Sequence, residues 1–171
     1  AAGVGMVIGT TGFEEAGKAA LADAARTIPV VFAPNMSVGV NVTFKLLEIA
    51  AGILNSGYDV EIVEAHHAKK LDSPSGTAIR TAEMIAANRN GSTADSGDAA
   101  RGQIVAGVPV HSLRLEGVSA KQDVYLGGNS ELLTISHETT SVAAYASGIA
   151  LSLLFTASNR GLHVGLDSVI R

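Results

Sequence analysis

The chain opens with the order strand, marked loop, helix, twice in succession, and this constrains the fold more than any other feature. Val4 to Ile8 is a continuous apolar run, followed by the turn Gly9 to Gly12 and a helical pattern from Phe13 to Ala25. Ile28 to Ala33 is a second apolar run, leading through the loop Pro34 to Gly39 into a helix that reaches about Leu54. Apolar runs that do not alternate predict strands covered on both faces, the pattern of a parallel, doubly wound sheet. Ligands of such sheets gather beyond the carboxyl ends of the strands. Gly9, Thr10 and Thr11 stand at one such end, and Ala33, Pro34, Asn35 and Met36 at the next. By local sequence alone, Gly9 to Gly12 is equally an ordinary tight turn with a threonine helix cap. The full G-x-G-x-x-G fingerprint with its following acidic residue occurs nowhere in the chain.

The pattern changes after Leu54. Tyr58 to Glu64 alternates and is rich in β-branched residues, and further strands are predicted at Val108 to Leu115, Gln122 to Leu126 and Glu131 to His137. Thr77 to Ala87 carries Ile79, Ala82, Ile85 and Ala86 at helical spacing. Asn88 to Gly102 reads as a flexible surface loop, Val142 to Ala157 as a buried apolar helix, and Gly161 to Arg171 as a short tail. The expected fold is α/β plus α+β: a remnant of a Rossmann-type dinucleotide domain (1–36 and 142–171) and a second domain (37–141) with a mixed sheet of about four strands.

Between the strand ending near Glu64 and the helix beginning near Thr77 lies HHAKKLDSPSGTA, His66 to Ala78. The first N–H groups of a helix lack intrahelical partners, and its dipole adds roughly half a positive charge there. Gly76 lets a ligand approach that backbone, Ser75 and Thr77 offer hydroxyls, and Lys70 adds an ammonium. The cluster therefore suits a small anion such as a carboxylate or phosphate. Ser73 or Ser75 as an N-cap and Pro74 as a first-turn proline are the structural alternatives, and Lys69 reads as a solvated surface charge. His66 and His67 point to opposite sides of a strand end, which disfavours a shared metal, so no metal site is expected.

Composition bounds the partners. With 171 residues the chain can bury a real core, and 47% hydrophobic content is that of a globular protein. A net charge of −4, without a basic stripe, argues against nucleic acid. No cysteine is present, which goes with a cytoplasmic setting. Thr139 to Asn159 is uncharged, but its serines and threonines favour a buried helix over a membrane span. The first basic residue is Lys18, so the N-terminal run is a poor signal peptide and reads as a chain whose beginning is missing.

The string EAHHAKKLDSPSGTA (Glu64 to Ala78) closely resembles the signature of the 4-hydroxy-tetrahydrodipicolinate reductase family, also called dihydrodipicolinate reductases, of lysine and diaminopimelate biosynthesis. VIGTTGF (Val7 to Phe13) and APNMSVGVN (Ala33 to Asn41) are similar to that family's cofactor-loop and hinge motifs, in the same order. The resemblance runs from about Val4 to the end of the chain. VPVHSLRL (Val108 to Leu115) and LTISHETT (Leu133 to Thr140) look closest to its actinobacterial branch.

The resemblance implies reduction of a cyclic, unsaturated dicarboxylate by NADPH or NADH. It casts His66 as the general acid/base and Lys70 as the second catalytic residue, with His67, Gly76 and Thr77 as substrate contacts, to which the helix-start reading adds Ser75. It assigns Gly9, Thr10, Thr11, Ala33, Pro34, Asn35 and Met36 to loops at the nicotinamide end of the cofactor. It further implies a homotetramer assembled through the sheet of the second domain, and hinges about which the two domains close. The chain departs from the family pattern at Val142, where an arginine is usual, and at Ala68, where a basic residue is usual. Because the glycine-rich first turn is missing, an isolated fragment without activity, or a non-catalytic dicarboxylate-binding module, is the alternative.

Overall fold

In the computed structural model the described residues are 3–10, 12–91 and 98–170. In chain order the elements are β1 (Met6–Ile8), α1 (Glu15–Ala24), β2 (Val30–Phe32), α2 (Val38–Leu54), β3 (Asp59–His66), α3 (Gly76–Ala87), β4 (Gln103–Val105), β5 (Val108–Arg114), β6 (Ala120–Gly128), β7 (Glu131–Thr139), α4 (Ala146–Thr156) and β8 (Leu162–Val164). They form two compact units, one of Ala1–Asn41 with Val142–Arg171, the other of Val42–Ser141.

The first unit holds a parallel sheet in the order β1-β2-β8. Val31 is flanked by Val7 and His163, and all three residues of β2 are buried, as a central strand of such a sheet requires. The segment Gly161 to Arg171, expected as a tail, supplies the third strand instead, and Leu166 beyond it is fully buried. Three residues of strand are too few to carry a periodic signal, which is why β8 was not expected.

A second correction concerns α4. Its buried positions are Gly148 and Ser152, one turn apart, while Leu153 and Leu154 are 56% and 72% exposed in this chain. The helix therefore packs through its small residues rather than its leucines. A Cβ on Gly148 would lie 1.9 Å from the Met36 carbonyl oxygen, so only glycine permits this approach.

The second unit is a mixed sheet in the order β4-β5-β3-β6-β7, with β3 and β5 parallel and the other pairs antiparallel. It has five strands, where about four were expected. The additional strand, β4, joins β5 through Ala106 and Gly107, both at positive φ (49° and 80°), the backbone of a two-residue hairpin turn. Ala-Gly is a weak announcement of such a turn, so the strand lay hidden between the loop read as Asn88 to Gly102 and the strand read from Val108. Part of that loop, 92–97, lies outside the described residues.

One face of this sheet carries the core. Val60 and Ile62 of β3, Val110 of β5 and Val124 of β6 pack under Ala82 and Ile85 of α3 and Leu47 of α2. The helical spacing of Ala78, Ala82 and Ile85 sets that apolar stripe. The run Val38–Gly57 is long and apolar enough, by length and composition, to cross a membrane, but Leu47 and Ala51 place its inner side in this core.

Candidate functional site

Strand β3 runs two residues further than its alternation suggested and ends on His66. Residues two apart on a strand share a face, so the side chains of Glu64 and His66 point the same way. His66 Nδ1 stands 2.6 Å from Glu64 Oε2. The Glu64 side chain is fully buried, and that of His66 is 16% exposed.

Parallel pairing places Ser112 beside Glu64 and Arg114 beside His66. The Arg114 guanidinium reaches back diagonally and donates from Nη1 to Glu64 Oε2 (2.9 Å) and from Nη2 to Oε1 (2.8 Å). It also donates to the Leu113 and Asp72 carbonyls, at 2.7 and 2.8 Å. The Ser75 N–H also donates to Glu64 Oε1, at 3.1 Å. Burial pushes the Glu64 carboxyl up, but the hydrogen bonds from His66, Arg114 and Ser112 outweigh it and pull the pKa to about 2.

The helix that follows begins at Gly76, with Ser75 as its N-cap: Ser75 Oγ accepts from the Ala78 N–H at 3.1 Å. Pro74 therefore precedes the cap rather than filling the first helical turn, and its peptide bond with Ser73 is cis. Gly76 is exposed and Thr77 half-buried at the helix start. His66, Ser75, Gly76 and Thr77 thus gather around the buried carboxylate of Glu64 or the turn of helix beside it.

Lys70 Nζ donates to both carboxylate oxygens of Asp72, at 2.8 and 2.7 Å. That bond is the main reason the Asp72 carboxyl lies below its ordinary value. An incoming anion must share Lys70 with this partner. His67, the first residue after β3, is exposed, and its carbonyl accepts the Lys70 N–H across a turn.

Glu64, Asp72 and Arg114 were not among the expected site residues. For Glu64 the signal was present, since it precedes His66 by two positions on a strand. For Arg114 none was, because only strand pairing brings it across 50 residues of sequence.

In the first unit, Gly9, Pro34, Asn35 and Met36 line one cavity of about 490 Å³ together with Val7, Tyr145, Ile149 and Leu153. The loop is held by its own polar groups: Asn35 Oδ1 accepts the Ser37 N–H, and Asn41 Nδ2 donates to the Asn35 carbonyl. Ala33 is fully buried and its N–H is spent on the Ile8 carbonyl, so it shapes the wall without lining the cavity. Thr10 is exposed and does not line it. Thr11 lies outside the described residues. Apolar walls with few polar groups at strand ends fit a flat ring such as nicotinamide. The pyrophosphate-binding turn of a whole dinucleotide site is not among these residues.

A parallel sheet with a cavity at its strand ends, joined in sequence to a mixed sheet with helices on one face, is the class of Rossmann-type α/β proteins carrying a separate α+β unit. Within that class the chain belongs to the dihydrodipicolinate reductase family. Residues 39–170 match the family model "Dihydrodipicolinate reductase, C-terminus", and residues 1–36 match "Dihydrodipicolinate reductase, N-terminus".

The 4-hydroxy-tetrahydrodipicolinate reductase of Dechloromonas aromatica is 46% identical over 93% of this chain and 61% of its own length. That of Clavibacter michiganensis is 50% identical over 84% of this chain and 52% of its own length. Among solved structures, the dipicolinate-bound dihydrodipicolinate reductase from Paenisporosarcina sp. TG-14 superposes with a TM-score of 0.83 at 34% identity, covering 96% of this chain and 64% of that one. The chain thus spans about 60% of the length of such relatives.

Proposed function

We propose that this chain carries the substrate and proton-transfer site of an NADPH- or NADH-dependent 4-hydroxy-tetrahydrodipicolinate reductase, which forms tetrahydrodipicolinate. The observation that carries the reading is the convergence of an imidazole, His66, with a capped helix start at Ser75 to Thr77 on one buried carboxylate. The dipicolinate bound by the Paenisporosarcina relative is a ring with two carboxylates, the kind of anion for which a helix start and an ammonium are suited. In this reading residues 1–36 and 142–171 are the remnant of a dinucleotide-binding domain, and 37–141 bind substrate and make the oligomer.

The roles follow from charge. Gly76, Thr77 and His67 hold the carboxylates of the ring, and Lys70 offsets negative charge as it develops. The nicotinamide supplies a hydride when bound, and Gly9, Thr10, Thr11 and Ala33 to Met36 form the loops that receive its ring. Hydride addition to the conjugated C=C–C=N system of the dehydrated substrate leaves electron density on the ring. His66 delivers the proton that quenches it, as a positioned imidazole is suited to do. A homotetramer formed through the open face of the mixed sheet, where Leu113 and Leu132 are exposed, belongs to the same reading, as does a cytoplasmic setting.

The test is a pair of titrations, pyridine-2,6-dicarboxylate and NADPH, each alone and then together, on this chain and on a form extended upstream. Binding of both is the expected result, and the extended form should oxidise NADPH only when 4-hydroxy-tetrahydrodipicolinate replaces the aromatic dicarboxylate. Dicarboxylate binding with no cofactor binding in the extended form would leave a binding module only.

A further inference from the structure

Glu64 is the one charged side chain that is fully buried among the described residues. Five donors converge on its two oxygens: His66 Nδ1 and Arg114 Nη1 on Oε2, Arg114 Nη2 and the Ser75 N–H on Oε1, with the Ser112 side chain as the fifth. A carboxylate offers about four lone-pair sites, so none is left over and the group cannot turn. Arg114 is fixed in its turn by the Leu113 and Asp72 carbonyls, which ties β5 and the loop before α3 to the same point.

We propose that Glu64, clamped by Arg114, is a positioning residue that holds the His66 ring with its Nδ1 proton turned inward, leaving Nε2 as the atom that exchanges a proton with the ligand. An ionised carboxylate only accepts, so the 2.6 Å contact requires the hydrogen to sit on Nδ1. The inference rests on the reading of His66 as proton donor and adds which nitrogen acts. In the step itself, the Nε2–H bond of the imidazolium breaks, its electron pair stays on the ring, and the proton forms a bond to the substrate carbanion. The ring is left neutral as the Nδ1–H tautomer, and solvent later returns a proton to Nε2. Glu64 stays ionised throughout and takes no proton.

The test reads the tautomer directly. Long-range ¹H–¹⁵N spectra of the 171-residue chain, recorded at alkaline pH, are expected to show a pyrrole-type Nδ1 and a pyridine-type Nε2 for His66. In Glu64→Gln one Arg114 N–H loses its acceptor whichever way the amide turns, and the Ser75 N–H still requires an oxygen at Oε1, so the amide nitrogen takes the place of Oε2 and donates toward the ring, the one partner there that can switch to accepting. His66 should then become predominantly the Nε2–H tautomer. In an extended, active form the same variant should lose turnover on the order of 10-fold or more, with KM for the dicarboxylate changed far less. A wild-type ring that is mainly Nε2–H overturns the proposal, as does a folded Glu64→Gln protein that keeps the wild-type tautomer. If the variant does not fold, the wild-type spectrum decides. Because the spectra need no cofactor, they stand or fall apart from the activity itself.

Discussion

Arg114 grips Glu64 through two hydrogen bonds of 2.8 and 2.9 Å between neighbouring parallel strands, and the carboxylate it holds is buried completely. The relationship links stability to the candidate site, because the same carboxylate orients His66 and anchors the residue that caps α3. Removing one partner of a buried ion pair leaves the other uncompensated and costs several kcal/mol. Arg114→Ala should therefore destabilise the second unit by about 3 kcal/mol. Urea unfolding followed by circular dichroism measures this, and a loss no larger than that of Lys70→Ala, whose partner Asp72 is exposed, would contradict it.

The same carboxylate predicts an acid limit. Its pKa falls from an ordinary 4.5 to about 2 in the folded chain. A carboxyl held low in the folded state stabilises it fully above the unfolded value and loses that contribution as pH falls through the folded one. The loss should therefore run from about pH 4.5 down to about pH 2, on the order of 3 kcal/mol in all. Denaturant midpoints across that window check it, and Glu64→Gln, if folded, should show a shallower decline than wild type.

Lys69 and Lys70 are adjacent, yet they differ in surroundings. Lys70 is largely buried and bonded to both oxygens of Asp72, whereas Lys69 is exposed. In an upstream-extended form, Lys70→Ala should weaken dicarboxylate affinity and turnover together, and Lys69→Ala should leave both nearly unchanged. His66→Gln should cut turnover on the order of 10²-fold, as expected for loss of a positioned acid. Steady-state kinetics of the three variants separate these outcomes, and equal effects of the two lysines would mean that the cluster is misassigned.

How far the sequence foretold this depends on whether the information was local. β3 and α3 were readable, the end of β3 short by two residues, because Tyr58 to Glu64 alternates and Ile79, Ala82, Ile85 and Ala86 recur at helical spacing, so the loop between them could be placed. The family signature added roles that residue types alone leave open. Arg114 could not be found the same way, since nothing near it announces a partner 50 residues earlier, and the strand order β5-β3 alone brings them together. α4 misled for a related reason: its leucines dominate composition, while Gly148 and Ser152, which carry no hydrophobic signal, make the contact.

That contact gives the final prediction. A methyl group at position 148 would lie 1.9 Å from the Met36 carbonyl oxygen and 3.1 Å from Leu166 Cδ1, and the first of these is backbone that cannot step aside. Met36 lines the cavity at the strand ends, so the helix and the loop must separate to admit even one carbon. Gly148→Ala should cost about 2 kcal/mol or more by overpacking, outweighing the helix propensity alanine would otherwise add, roughly 1 kcal/mol. It should also enlarge or distort the cavity and weaken nicotinamide binding in an extended form. Gly57→Ala, where an added Cβ meets nothing within 4 Å, is the control and should be close to neutral. Thermal melts of the two variants decide the matter, because a Gly148→Ala protein as stable as the control would mean that α4 does not approach the Met36 loop so closely.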